Sequence, residues 1–138
     1  MPDYEPTQLE KKAAGAAFLK LISAGNDVFK IGRCADDGRG GLADRDMYAD
    51  AVSIDTIWNG SSGKVSWLEK WLIRYAWKRL KTRCRNEQEG GGGTGTSSVH
   101  HVYVVRWTAT PELVDEIQLM TLLREIDELT KSLDEGED

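Results

Sequence analysis

Apolar residues recur at helical spacing near the start of the chain, with Leu9, Ala13, Ala17 and Leu21 in line and Phe18 and Ile22 beside them. Intervals of three to four residues place such side chains on one face, so residues 7–23 are predicted as a packing helix. The run Ala24-Gly25-Asn26-Asp27 supplies the turn that ends it. Residues 28–33 (VFKIGR) read as a short strand entering a loop of Asp and Gly over residues 36–41, and residues 42–48 as a short helix. Over residues 51–58 the period falls to two. Val52, Ile54, Thr56 and Trp58 alternate with Ala51, Ser53, Asp55 and Ile57, the pattern of a half-buried strand.

Beyond a turn at residues 59–63, Ser66 is the expected N-cap of a helix running from Trp67 to Arg85, which puts Glu69 in the first turn. Leu72, Ile73, Ala76, Trp77, Leu80 and Cys84 form its apolar arc. Residues 86–98 (NEQEGGGGTGTSS) have no periodicity and read as a linker, without the Lys-Ser/Thr ending of a phosphate-binding loop. Residues 99–108 are rich in β-branched and aromatic side chains, as in a strand covered on both faces. A last helix starts at Pro111 and runs to about Leu133, with Leu113, Ile117, Met120, Leu123, Ile126, Leu129 and Leu133 expected inward. The element order implies an α+β fold in which a small antiparallel sheet of about three strands is flanked by helices. Residues 1–110 form the α+β domain, and residues 111–138 an acidic C-terminal helix that packs on it or mediates self-association.

Charge changes this picture. The chain of 138 residues is 40% hydrophobic, enough for one core, and carries a formal net charge of −5. Ten of its acids fall in residues 111–138 against only Arg124 and Lys131, so that segment carries −8 and the remainder +3. The body is mildly basic behind an acidic helix, and an anionic partner is compatible with the overall sign. Cys34 and Cys84 lack metal-ligand spacing and fit reduced thiols in a cytoplasmic protein. No run approaches the roughly 18 apolar residues of a membrane span.

From Lys70 to Arg85 there are seven bases and no acid. On a helical projection Lys70, Arg74, Lys78, Lys81 and Arg85 share one face, which is either a solvated surface or a site for DNA or RNA phosphates. Trp71, Tyr75 and Trp77 lie near that face and offer planes on which bases stack, with core packing the alternative for Trp77. Glu69 projects into the apolar arc, where a carboxylate needs a reason. Two reasons are open: a capping box closed on Ser66, or a hard oxygen ligand for Mg²⁺ or Mn²⁺. His100 and His101 are adjacent on a strand, so they face opposite ways and cannot share one metal.

FKIGRC at residues 29–34, then Arg39 or Arg45, the strand AVSIDTIW, and LEKWLI at residues 68–73 together resemble the second half of GIY-YIG nuclease domains. The resemblance covers about 55 residues. It implies a small α+β domain that binds nucleic acid and cleaves phosphodiesters with a divalent metal. Phe29 stands where the second motif's tyrosine belongs, with Ile31 and Gly32 completing that motif. Arg39 or Arg45 is implied as the phosphate-steadying arginine, Glu69 as the metal ligand, and Asn86 as the asparagine that often follows that helix. No first motif precedes residue 28. The comparable stretch is His101-Val102-Tyr103, so the resemblance implies a permuted sheet, with Tyr103 helping to activate water, if that strand lies beside VFKIGR. The competing reading is a non-catalytic interaction or inhibitor protein of small phage or regulatory type, acting by covering a partner's surface. In either case the last helix is a candidate homodimer contact.

Overall fold

The computed structural model of the chain describes residues 5–23, 27–35, 48, 50–86 and 100–134. Among them the elements run α1 (Gln8–Ile22), β1 (Val28–Ala35), β2 (Ser53–Gly60), α2 (Ser62–Arg79), β3 (His100–Trp107) and α3 (Pro111–Asp134). The strands form one sheet in the order β1-β3-β2, with β3 antiparallel to both neighbours. The expected α+β class is the observed one. The predicted helix over residues 42–48, apart from Tyr48, and nearly all of the glycine-rich linker lie outside the described residues.

The composition of β3 explains its central place. Val102 and Val104 face α1 and α2, while Tyr103, Val105 and Trp107 face the side where Ile117 of α3 packs, so both faces are buried. The α1/α2 side is the main core, built from Phe18, Phe29, Ile31, Leu68, Ile73 and their neighbours. On α1 the inward line is Ala14, Phe18 and Ile22; Leu9 of the predicted line is 76% exposed. That helix starts in a capping box, where Thr7 Oγ1 accepts from the Glu10 amide and the Thr7 amide donates to the Glu10 carboxylate.

Four expectations are corrected. α2 begins at Ser62 with Ser61 as its cap, whose hydroxyl accepts from the Lys64 amide, so Ser66 lies inside the helix and Glu69 is not a capping residue. The same helix ends at Arg79, well before Arg85, because the chain turns there and pairs with β1. The Phe29 amide donates to the Arg83 carbonyl and the Arg85 amide to the Phe29 carbonyl. In β2 a bulge between Thr56 and Trp58 breaks the strict alternation. Asp55 pairs with Val104 and Trp58 with Val102, so these two share the α1/α2 face and Trp58 does not follow Ile54 and Thr56. On α3 the inward side is Leu113, Ile117 and Met120, whereas Leu123, Ile126, Leu129 and Leu133 are exposed.

Candidate functional site around Glu69 and Arg33

Alternation along β1 sends Phe29, Ile31 and Arg33 to the α1/α2 side, and α2 lies over that side. Among the α2 residues that meet it are Leu68, Leu72 and Ile73, and in the same arc Glu69 is only 2% exposed. The guanidinium of Arg33 answers it, with Nε 3.4 Å from Glu69 Oε1. Neither atom has a hydrogen-bond partner among the described residues, and their contact is an ion pair held by distance and lacking good donor geometry. Burial pushes the Glu69 carboxyl up to about 7, against the opposing pull of Arg33, Lys70 and Lys30. A carboxyl titrating near neutrality beside a fixed cation is suited to accepting a proton while the cation steadies an anion.

Asn86 braces β1 next to this pair. Its side-chain oxygen accepts from the Ile31 amide and its nitrogen donates to the Ile31 carbonyl, satisfying an edge strand in the way a further strand would. The Asn86 carbonyl in turn accepts from the Trp77 indole and from Arg124 of α3. Asn86 therefore sits close to the pair in a structural role, as a backbone clamp. Cys84 beside it is buried and its thiol is pushed up to about 11, which makes it a poor nucleophile.

The predicted basic stripe divides in two. Lys70, Arg74 and Lys78 are exposed along α2, with Trp71 half-exposed next to them. Lys81 and Arg85 follow the helix and belong to α3's surroundings: Lys81 Nζ is 2.8 Å from Glu125, and Arg85 lies 3.3 Å from Glu116 while stacking on Trp107. Trp77 packs under Arg124 and against the core, its alternative reading. Tyr75 stacks with Arg79.

Tyr103 is directly opposite Gly32, and its ring lies against that glycine so closely that a Cβ there would come within 2.6 Å of the phenol oxygen. Gly32 is thus required by the tyrosine's packing. The ring belongs to the α3 face with Val28, Val105 and Trp107, across the sheet from Glu69. The strand HVYVVRW does lie beside VFKIGR, the condition set for a permuted sheet, yet the two side chains expected to cooperate point to opposite faces. Phe29 is fully buried against Phe18, away from any solvent-facing chemistry. Arg39 and Arg45 lie outside the described residues. His100 and His101 face opposite sides, as their adjacency requires.

Arg33 is the residue that sequence reading missed. Its signal is the one that exposed Glu69: a charged side chain in register with two core residues, here Phe29 and Ile31. Compared with family models, curated proteins and solved structures, the chain matches none. No helix among the described residues is long and apolar enough to cross a membrane.

Proposed function

We propose that the protein binds nucleic acid along the exposed face of α2 and hydrolyses phosphodiesters at Glu69 and Arg33. The carrying observation is that one helix bears both a buried carboxyl tuned to about 7 beside an arginine and an outward row of Lys70, Arg74 and Lys78. Arg33 is the member of the pair that a phosphate reaches first, since its side chain is the more exposed, at 16% against 3%. With a phosphate oxygen on Arg33, ionised Glu69 is released from its ion pair and takes a proton from water as the water oxygen bonds to phosphorus; the ester oxygen leaves as an alkoxide and takes a proton from solvent water. The adjacency of β1 and β3 is compatible with a permuted GIY-YIG-like sheet, but one in which Tyr103 takes no part, since its ring lies on the face opposite Glu69.

Among the described residues no group of three or more His, Cys, Asp or Glu side chains is placed to hold a metal. Two buried carboxylate oxygens among them lack a hydrogen-bond partner, Glu69 Oε1 and Asp55 Oδ2, and of these Glu69 is the one beside Arg33; Mg²⁺ or Mn²⁺ characteristically takes one or two carboxylates with water and phosphate filling the rest. Glu69 is therefore the residue that would hold such an ion, which would add positive charge at the phosphate.

Incubation with single- and double-stranded DNA and RNA plus Mg²⁺ or Mn²⁺ tests the enzyme reading. Cleavage is expected, rising through about pH 7 as Glu69 ionises and lost in Glu69→Gln. Intact substrate at stoichiometric protein excess removes the claim. The ion pairs of Glu116 with Arg85 and Glu125 with Lys81 favour a second reading, a non-catalytic interaction protein whose acidic helix occupies bases that phosphate would otherwise take.

A further inference from the structure

α3 docks on the body with one side and is apolar on the opposite one. Toward the body it presents Leu113, Ile117, Thr121 and Arg124: Ile117 is fully buried, Thr121 Oγ1 donates to the Lys81 carbonyl, and Arg124 donates to the Asn86 carbonyl. At about 100° per residue these four fall within roughly 80° of arc. Leu119, Leu122, Leu123, Ile126, Leu129 and Leu133 centre roughly 180° away, and each is 50% exposed or more. A helix docked only on its own sheet has no use for this second face, because a docked surface helix normally turns polar side chains outward.

We infer that this second face is the contact with a second copy of the chain, forming a two-fold helix pair. Leu119, Leu122, Ile126, Leu129 and Leu133 are separated by three, four, three and four residues, the spacing of a coiled-coil seam. Charge has been kept off it. On the flanks stand Gln118, Glu125 and Ser132 on one side and Leu123 and Thr130 on the other, and the single acid there, Glu125, is already held by Lys81. Asp127, Glu128 and Asp134 project elsewhere, so two copies approach without opposed like charges.

Size and supply agree. Six aliphatic side chains this exposed present on the order of 500 Å², near the upper end of the largest apolar patch on a monomer. Two such stripes together bury roughly 1,000 Å², the lower bound for a specific contact. Within these 138 residues, the stretches 36–47 and 87–99 offer only Leu42, Met47 and Val99 as large aliphatic side chains, too few to cover the stripe. The stripe is complementary to itself, as a two-fold contact demands.

Sedimentation velocity of the full chain from about 1 to 100 μM tests the inference. Wild type is expected to form a two-chain particle, and the double variant Leu122→Glu, Leu129→Glu to sediment as a single chain, with dimer affinity at least about a hundredfold weaker, or roughly 2.7 kcal/mol. Both positions are exposed, so circular dichroism and the unfolding midpoint of the dilute, single-chain sample stay near wild type and separate lost pairing from lost folding. A wild type that is monomeric at about 100 μM overturns the inference, and so does a double variant that pairs as tightly as wild type.

Discussion

Phe29→Ala is expected to lower the free energy of unfolding by about 3–5 kcal/mol, measured by urea denaturation. The ring is fully buried, meets Phe18 edge-to-face at 5.5 Å between centroids, and lies under the Arg83 guanidinium at 5.6 Å. Its own backbone holds the segment after α2, through the bonds to Arg83 and Arg85, and that segment supplies Arg83 to the carbonyl of Ile22 at the end of α1 and that of Asp27 just before β1. Removing the ring opens a cavity where α1, β1 and the segment after α2 meet. Phe29→Tyr sharpens the point. The resemblance to GIY-YIG domains implies a tyrosine there, but a hydroxyl at this depth has to be accommodated in a packed apolar core, so a loss of about 1–3 kcal/mol is expected and no gain in cleavage. A Phe29→Tyr protein as stable as wild type and more active would place Phe29 at the reacting centre instead.

Much of the fold was legible because the periodic segments were long and consistent. The β3 strand HHVYVVRW has too many apolar residues for a one-sided strand, and it occupies the centre of the sheet. Errors arose where a tertiary contact overrode the local pattern. The helical periodicity after Trp67 continues to Cys84, yet the backbone leaves the helix at Arg79 to pair with Phe29, and no local signal competes with that sheet bond. On α3 the apolar residues expected on one inward side occupy two, and helical pitch separates Leu113 and Ile117 from Leu129 and Leu133. Glu69 was visible as a charge among apolar neighbours, while Arg33 was hidden by the shortness of the strand on which it was read.

Glu69→Gln is expected to stabilise the protein above neutral pH. The sign follows from the direction of the shift. A carboxyl held at about 7 in the folded protein against an ordinary value of 4.5 binds its proton more tightly when folded, so folding is favoured with the proton on. That advantage is complete below about 4.5, declines as pH rises toward about 7, and is gone above it, where a buried carboxylate must be carried. Removing it at pH 8 should add at most roughly 3 kcal/mol, since the value moves from 4.5 to about 7 and one pH unit corresponds to about 1.4 kcal/mol. Part of this gain is offset because Arg33 loses its anionic neighbour and is left half-buried. Urea midpoints between pH 5 and 8 check it: wild type should lose stability across that range and Glu69→Gln should be flatter. Equal slopes would mean that Glu69 is ionised throughout, and the proton-transfer role assigned to it would lapse. A protein that becomes more stable and less active on the same substitution is the expected signature of a functional carboxyl maintained at a cost to the fold.

The most direct test of the central claim, that α2 presents a phosphate-binding row, is the salt dependence of nucleic-acid affinity. Fluorescence anisotropy with a labelled DNA duplex, from about 50 to 200 mM salt, compares wild type with the triple variant Lys70→Gln, Arg74→Gln, Lys78→Gln; all three positions are exposed, so the fold is retained. The account predicts binding whose logarithmic salt slope falls by about 2.7 in the triple variant, close to 0.9 for each phosphate contact removed. An unchanged slope, or no binding by wild type at tens of micromolar in low salt, would contradict it.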